Sequence, residues 1–125
     1  MPGQAAGDPA WIEQRLPVWC AFADLFLDTS YDPPFYDEIA KVMVASGLGL
    51  ATLVTIFRTE VAPAFAVNLL SVAGEWAGWH PDYVAERVQE CLGSRRSALA
   101  ALSLRGYVNA EWAKLLAAWQ RAVQA

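Results

Sequence analysis

Glu60-Val61-Ala62-Pro63-Ala64-Phe65, then Asn68-Leu69, then Ala73-Gly74-Glu75-Trp76-Ala77-Gly78-Trp79 is the stretch on which the fold turns. Helix formers, a helix breaker, a lone amide and a double aromatic turn share these twenty residues, 60–79. Pro63 has no amide proton and its ring crowds the carbonyl of Thr59, so it either ends or bends the helix that reaches it. Beyond it, Phe65, Leu69, Val72 and Trp76 repeat at helical spacing. Asn68 lies at the edge of that stripe, and an unsatisfied buried amide costs about 1–3 kcal/mol. It is expected to tie backbone groups left open by Pro63 or by the Gly74–Gly78 turn. The pattern is that of a packed hub, with Trp19, Glu60, Pro63, Asn68, Gly74, Glu75, Trp76 and Trp79 in structural roles.

Working outward, the patterning stays helical, and no run alternates with period two. Asp8 is placed to cap a first helix with Pro9 in its first turn. Ile12, Leu16, Trp19, Ala23 and Phe26 form its stripe, widened by Trp11, Val18, Phe22 and Leu25. Pro17 falls on the opposite side, where a lost hydrogen bond can be hydrated. A turn-rich loop, Asp28–Pro34, precedes a second helix to Ser46 with Tyr36, Ile39 and Met43 inward, and Gly47 is its stop. The third, about 50–61, buries Leu50, Leu53, Val54, Phe57 and Val61. His80 caps a helix that begins at Pro81, turns Val84, Val88, Cys91 and Leu92 inward, and stops at Gly93. A short segment over 97–104 ends near Gly106. Asn109 is read as the cap of a last helix whose buried face is Trp112, Leu115, Leu116, Trp119 and Val123. The expected architecture is all-α, a compact single-domain bundle of five to seven helices over 9–125 behind a flexible tail at 1–8.

The 125 residues are 56% apolar and carry six tryptophans. A domain of this size buries enough surface to fold without a metal or disulfide. Cys20 and Cys91 lie in amphipathic patterns with no metal-ligand spacing and read as free buried thiols of a reducing compartment. The first ten residues lack a basic start and an apolar core, so they do not read as a secretory leader. The longest uncharged run, 42–57, is sixteen residues and holds two glycines, short of the ~20 a spanning helix needs. A cytoplasmic protein is expected. Net charge is −4, with seven acids against one base in residues 1–40 and four acids against six bases in 81–125. The acidic end argues against nucleic acid as the main ligand. The polarisation suits an oppositely charged protein.

Chemistry-bearing motifs are scarce. His80 is the sole histidine and is explained by its cap position, and no HExxH, Walker loop, dinucleotide fingerprint or GxSxG elbow occurs. No catalytic residue, metal or cofactor is expected. Glu60 and Glu75 flank the apolar middle and would serve acid–base work in an interhelical pocket, the alternative of a small enzyme or ligand-binding protein. The favoured reading pairs Glu60 with Arg15 or Arg58 and has Glu75 holding a turn. Arg95-Arg96 reads as a solvated basic pair. One surface feature stands out. Residues 24–38 hold five acids and no base, interleaved with Tyr31, Phe35 and Tyr36. Acids steer docking and exposed tyrosines suit interfaces, so Asp28, Tyr31, Asp32, Tyr36 and Asp37 are the candidate partner-binding residues.

Val18-Trp19, Leu25-Phe26-Leu27-Asp28-Thr29, Glu60-Val61-Ala62-Pro63, Asn68-Leu69 and Ala73-Gly74-Glu75-Trp76-Ala77-Gly78-Trp79 resemble a family of short helical bacterial proteins of unassigned activity. The resemblance spans about residues 11–90 and carries no catalytic residues with it. Many small acidic bacterial proteins of this look are immunity proteins. The resemblance therefore implies direct binding and neutralisation of a cognate toxin; the charge distribution makes a basic toxin domain the expected partner, with neither nucleic acid nor membrane.

Overall fold

The computed structural model describes residues 8–26, 33–70 and 80–124, with side chains described for all of these except 67–70. The fold is all-α, and no strand occurs among the described residues. In order come α1 (Pro9–Ala23), a 3₁₀ turn (Asp24–Phe26), α2 (Pro33–Ala45), α3 (Leu50–Thr55), a π-helical segment (Ile56–Val61), α4 (Ala62–Leu70), α5 (Pro81–Cys91), α6 (Arg95–Ser103) and α7 (Arg105–Gln124).

The starts and stops follow local chemistry. Asp8 accepts from the Ala10 amide at 2.9 Å with Pro9 next to it, and His80 Nδ1 accepts from the Asp82 amide at 3.1 Å before Pro81. Ser94 caps α6 through the Ser97 amide. Gly47 and Gly93 take positive φ, 73° and 79°, one residue beyond Ser46 and Leu92 at the ends of α2 and α5, the left-handed conformation that closes a helix with least strain in glycine. Pro17 lies on the exposed side of an unbroken α1.

Pro63 neither ends nor sharply interrupts its helix: α3, the π segment and α4 run on end to end. The turn before the proline widens instead. The Ala62 amide reaches back five residues to the Phe57 carbonyl, a spacing that relieves the crowding a proline ring imposes on the carbonyl four residues earlier. Thr55 and Thr59 hydroxyls donate to the Ala51 and Thr55 carbonyls, at 2.9 and 2.7 Å. The widened turn sets Ile56, Phe57, Glu60 and Val61 inward together.

One hydrophobic cluster joins these elements. α2 lies along α7, α4 along α6, and α1 against α5, α2 and the π segment. Trp19, Phe22, Phe26, Phe57 and Phe65 are its largest members, and Phe22 meets Phe57 edge-on at 5.1 Å between ring centres. The Tyr107 hydroxyl donates to the Leu25 carbonyl and ties α7 to the 3₁₀ turn. Two boundary expectations are corrected here. α7 begins at Arg105, so Gly106 lies inside it and Asn109 is not its cap; the Asn109 side chain accepts from Arg58 Nη1 at 2.6 Å. The fully buried stripe of α7 is Val108, Glu111, Leu115 and Ala118, which leaves Val123 49% exposed. No helix among the described residues is long and apolar enough to cross a membrane.

Candidate functional site

Two buried carboxylates organise the polar interior. Glu60, on the π segment, is 7% exposed. Its Oε1 accepts from Trp19 Nε1 at 2.8 Å, and Arg15 Nε lies 3.3 Å from the same oxygen and 3.5 Å from Oε2. Trp19 and Arg15 stand four residues apart on α1, so both reach one acceptor from the same face. The Arg15 guanidinium also sits over the Trp11 ring at 4.4 Å, and Trp11 meets Trp19 edge-on at 5.5 Å. The expected ion pair of Glu60 with an arginine is therefore made by Arg15, while Arg58 turns to Asn109.

Glu111, on α7, is 2% exposed. Tyr36 donates its hydroxyl to Oε1 at 2.6 Å, and Lys114 Nζ donates to Oε2 at 3.0 Å. The ammonium lies 5.4 Å from the Tyr36 ring centre. Burial first, then the hydrogen bond and the negative charge of Glu111, push the Tyr36 phenol well above its ordinary range. The clamp fixes α2 on α7, and Asp37 adds a surface pair with Arg121 Nη2 at 2.7 Å.

These contacts alter the candidate contact surface. Tyr36 is core, at 4% exposure, because its ring packs inward to reach Glu111; it is corrected as an exposed anchor. Asp37 is partly exposed but held within the chain by Arg121. Asp28, Tyr31 and Asp32 lie outside the described residues, as do Gly74, Glu75, Trp76 and Trp79 and the side chain of Asn68. Trp19 is fully buried, and Pro63 is the second residue of α4. The two cysteines are free thiols. Cys20 is half-buried; burial, then the charge of Asp24, raise its thiol from an ordinary 9.0 to about 11. Burial also raises the Asp24 carboxyl. No cluster of three metal-binding side chains occurs among the described residues.

Sequence reasoning missed Glu111 and Lys114. The signal was the 3-4-3 spacing of Val108, Glu111, Leu115 and Ala118, obscured because an acid occupies an inward position and because tryptophans on the next stripe drew the assignment one residue round. Arg95 and Arg96, read as a solvated pair ahead of the 97–104 segment, form the first turn of α6.

Fold and interior together define an all-α protein whose helices are cross-linked by carboxylates sealed in the core. Residues 13–122 match the family model described as a domain of unknown function, DUF7079, and the chain belongs to that family. No curated protein and no solved structure matches it.

Proposed function

We propose that the chain is an immunity-type protein that binds and neutralises a cognate bacterial toxin by direct contact, acting in the cytoplasm. The observation that carries this reading is the commitment of Glu60. Glu60, one of the two carboxylates considered for acid–base work, is held by Trp19 and Arg15 inside the fold, an architectural role that leaves the surface for recognition. The net charge of −4 and the acids of 24–38 suit a basic toxin domain. Asp28 and Asp32 are the residues assigned to contact, and Glu38 of the same acidic stretch is exposed on α2.

The test is capture of the partner from the native host, followed by affinity measurement with the purified partner. The Asp28→Lys/Asp32→Lys variant should bind more weakly at low salt and lose less at high salt, because screening already weakens the wild type there. Co-expression with the captured toxin should restore growth. Unchanged affinity in the variant, or no protection of growth, refutes the proposal.

A further inference from the structure

The nine basic side chains divide into two sets. Five have an acid beside them: Arg15 with Glu60, Lys41 with Glu38, Arg87 with Glu90, Lys114 with Glu111 and Arg121 with Asp37. The other four, Arg58, Arg95, Arg96 and Arg105, pair with no acid among the described residues, and all are exposed. Two of them meet in space, and the other two open α6, whose Leu102 lies beside that pair. Arg58 and Arg105 line an open hollow of about 290 Å³ with Ala62, Leu102, Val108 and Asn109. Arg95 leads the outward stripe of α6, followed by Leu99 and Leu102 at helical spacing, and Arg96 flanks it. Leu99 and Leu102 are 63% and 57% exposed. Residues 91–110 contain no acid at all.

From this geometry we infer that the α6 face and the adjoining hollow dock an acidic amphipathic helix of another protein. On an otherwise acidic chain, Arg95 and Arg96 open the helix of the two exposed leucines while Arg58 and Arg105 line the hollow beside Leu102, none with an acid partner among the described residues, and that arrangement complements glutamates flanking an apolar stripe. Exposed leucines have no counterpart on a phosphate backbone, which disfavours nucleic acid. The hollow between helices accepts an inserted side chain, which a flat lipid surface does not supply. Arg58 is held in place by Asn109, so its guanidinium is fixed before docking. This partner has the opposite charge to the one proposed for residues 24–38, so the two interactions succeed or fail independently.

The probe is a labelled synthetic peptide with leucines at i, i+3, i+4 and i+7 and glutamates elsewhere, followed by fluorescence anisotropy beside a scrambled peptide of the same composition. The ordered peptide should bind. Leu99→Ser/Leu102→Ser and Arg95→Glu/Arg96→Glu should each weaken it by about tenfold or more. On the wild-type chain, amide shifts induced by the peptide should centre on 95–105, a readout that does not depend on any variant folding. The inference is overturned by equal binding of the scrambled peptide, by no binding, by undiminished binding to the variants, or by shifts centred elsewhere. Tighter binding of duplex DNA or phosphatidylserine vesicles, or a homodimer dissolved by the same substitutions, also overturns it, because the face then serves a different occupant.

Discussion

Replacing Glu60 separates its two duties. Glu60→Ala removes the acceptor of the Trp19 indole N–H, which is fully buried. A hydrogen bond to a charged group contributes about 1.5–3 kcal/mol, and stranding a buried donor costs about 1–3 kcal/mol. With the void left by the shortened side chain, a loss of about 3 kcal/mol is expected. Glu60→Gln keeps an amide oxygen for Trp19 and gives up only the charge beside Arg15, whose side chain is 16% exposed; about 1 kcal/mol is expected. An unfolding entropy of about 2 cal/mol/K per residue over 125 residues converts 1 kcal/mol into about 4 °C. Calorimetry should therefore show the melting temperature falling by about 12 °C for alanine and about 4 °C for glutamine. Trp19→Phe removes the donor, so the Trp19→Phe/Glu60→Ala double variant should lose less than the sum of the singles, by about 1–2 kcal/mol. Equal losses for alanine and glutamine, or strict additivity, would refute the claim that the indole–carboxylate bond holds the π segment to α1.

Tyr36→Phe should cost about 1–2 kcal/mol at pH 7, since Glu111 Oε1 loses its donor. The folded-state phenol is raised above its ordinary 10.0, so its contribution is complete below pH 10 and drains as pH rises further; urea melts from pH 8 to 11 should fall more steeply for the wild type than for Tyr36→Phe. Cys20, raised from 9.0 to about 11, should react with a disulfide reagent at pH 8 about a hundredfold more slowly than an unfolded thiol, and equal rates would show that burial does not control it. Gly93→Ala should destabilise by about 1 kcal/mol because φ is positive, whereas Gly106→Ala, inside α7 with open space around an added Cβ, should stabilise by about 0.5–1 kcal/mol. Urea denaturation distinguishes the two signs.

The helix ends set by a capping side chain or a left-handed glycine were the most legible part of the sequence, because such caps and stops are local. Asp8, His80, Gly47 and Gly93 act through atoms within a few residues of themselves. The inward stripes of α1 and α2 were legible for the same reason, apolar spacing being a property of one segment. What spacing cannot encode is the partner across the core. Tyr36 reads equally as an inward residue or as an interface aromatic until Glu111, 75 residues away, is placed beside it. Pro63 reads as a stop or a bend, since the widened turn is a third solution that depends on what the neighbouring helices demand of α4. The meeting of Arg58 with Arg105 at one hollow is likewise tertiary, since the two stand on different helices far apart in sequence.

The π segment also bears on how this helix tolerates changes in length. A widened turn accommodates roughly one more residue than the regular repeat. Deleting a single position between 56 and 61, together with Pro63→Ala, lets the rod tighten to ordinary pitch while everything downstream keeps its angular phase. The same deletion in the middle of α7 swings half the helix round by about 100° and carries Leu115 and Ala118 out of the core.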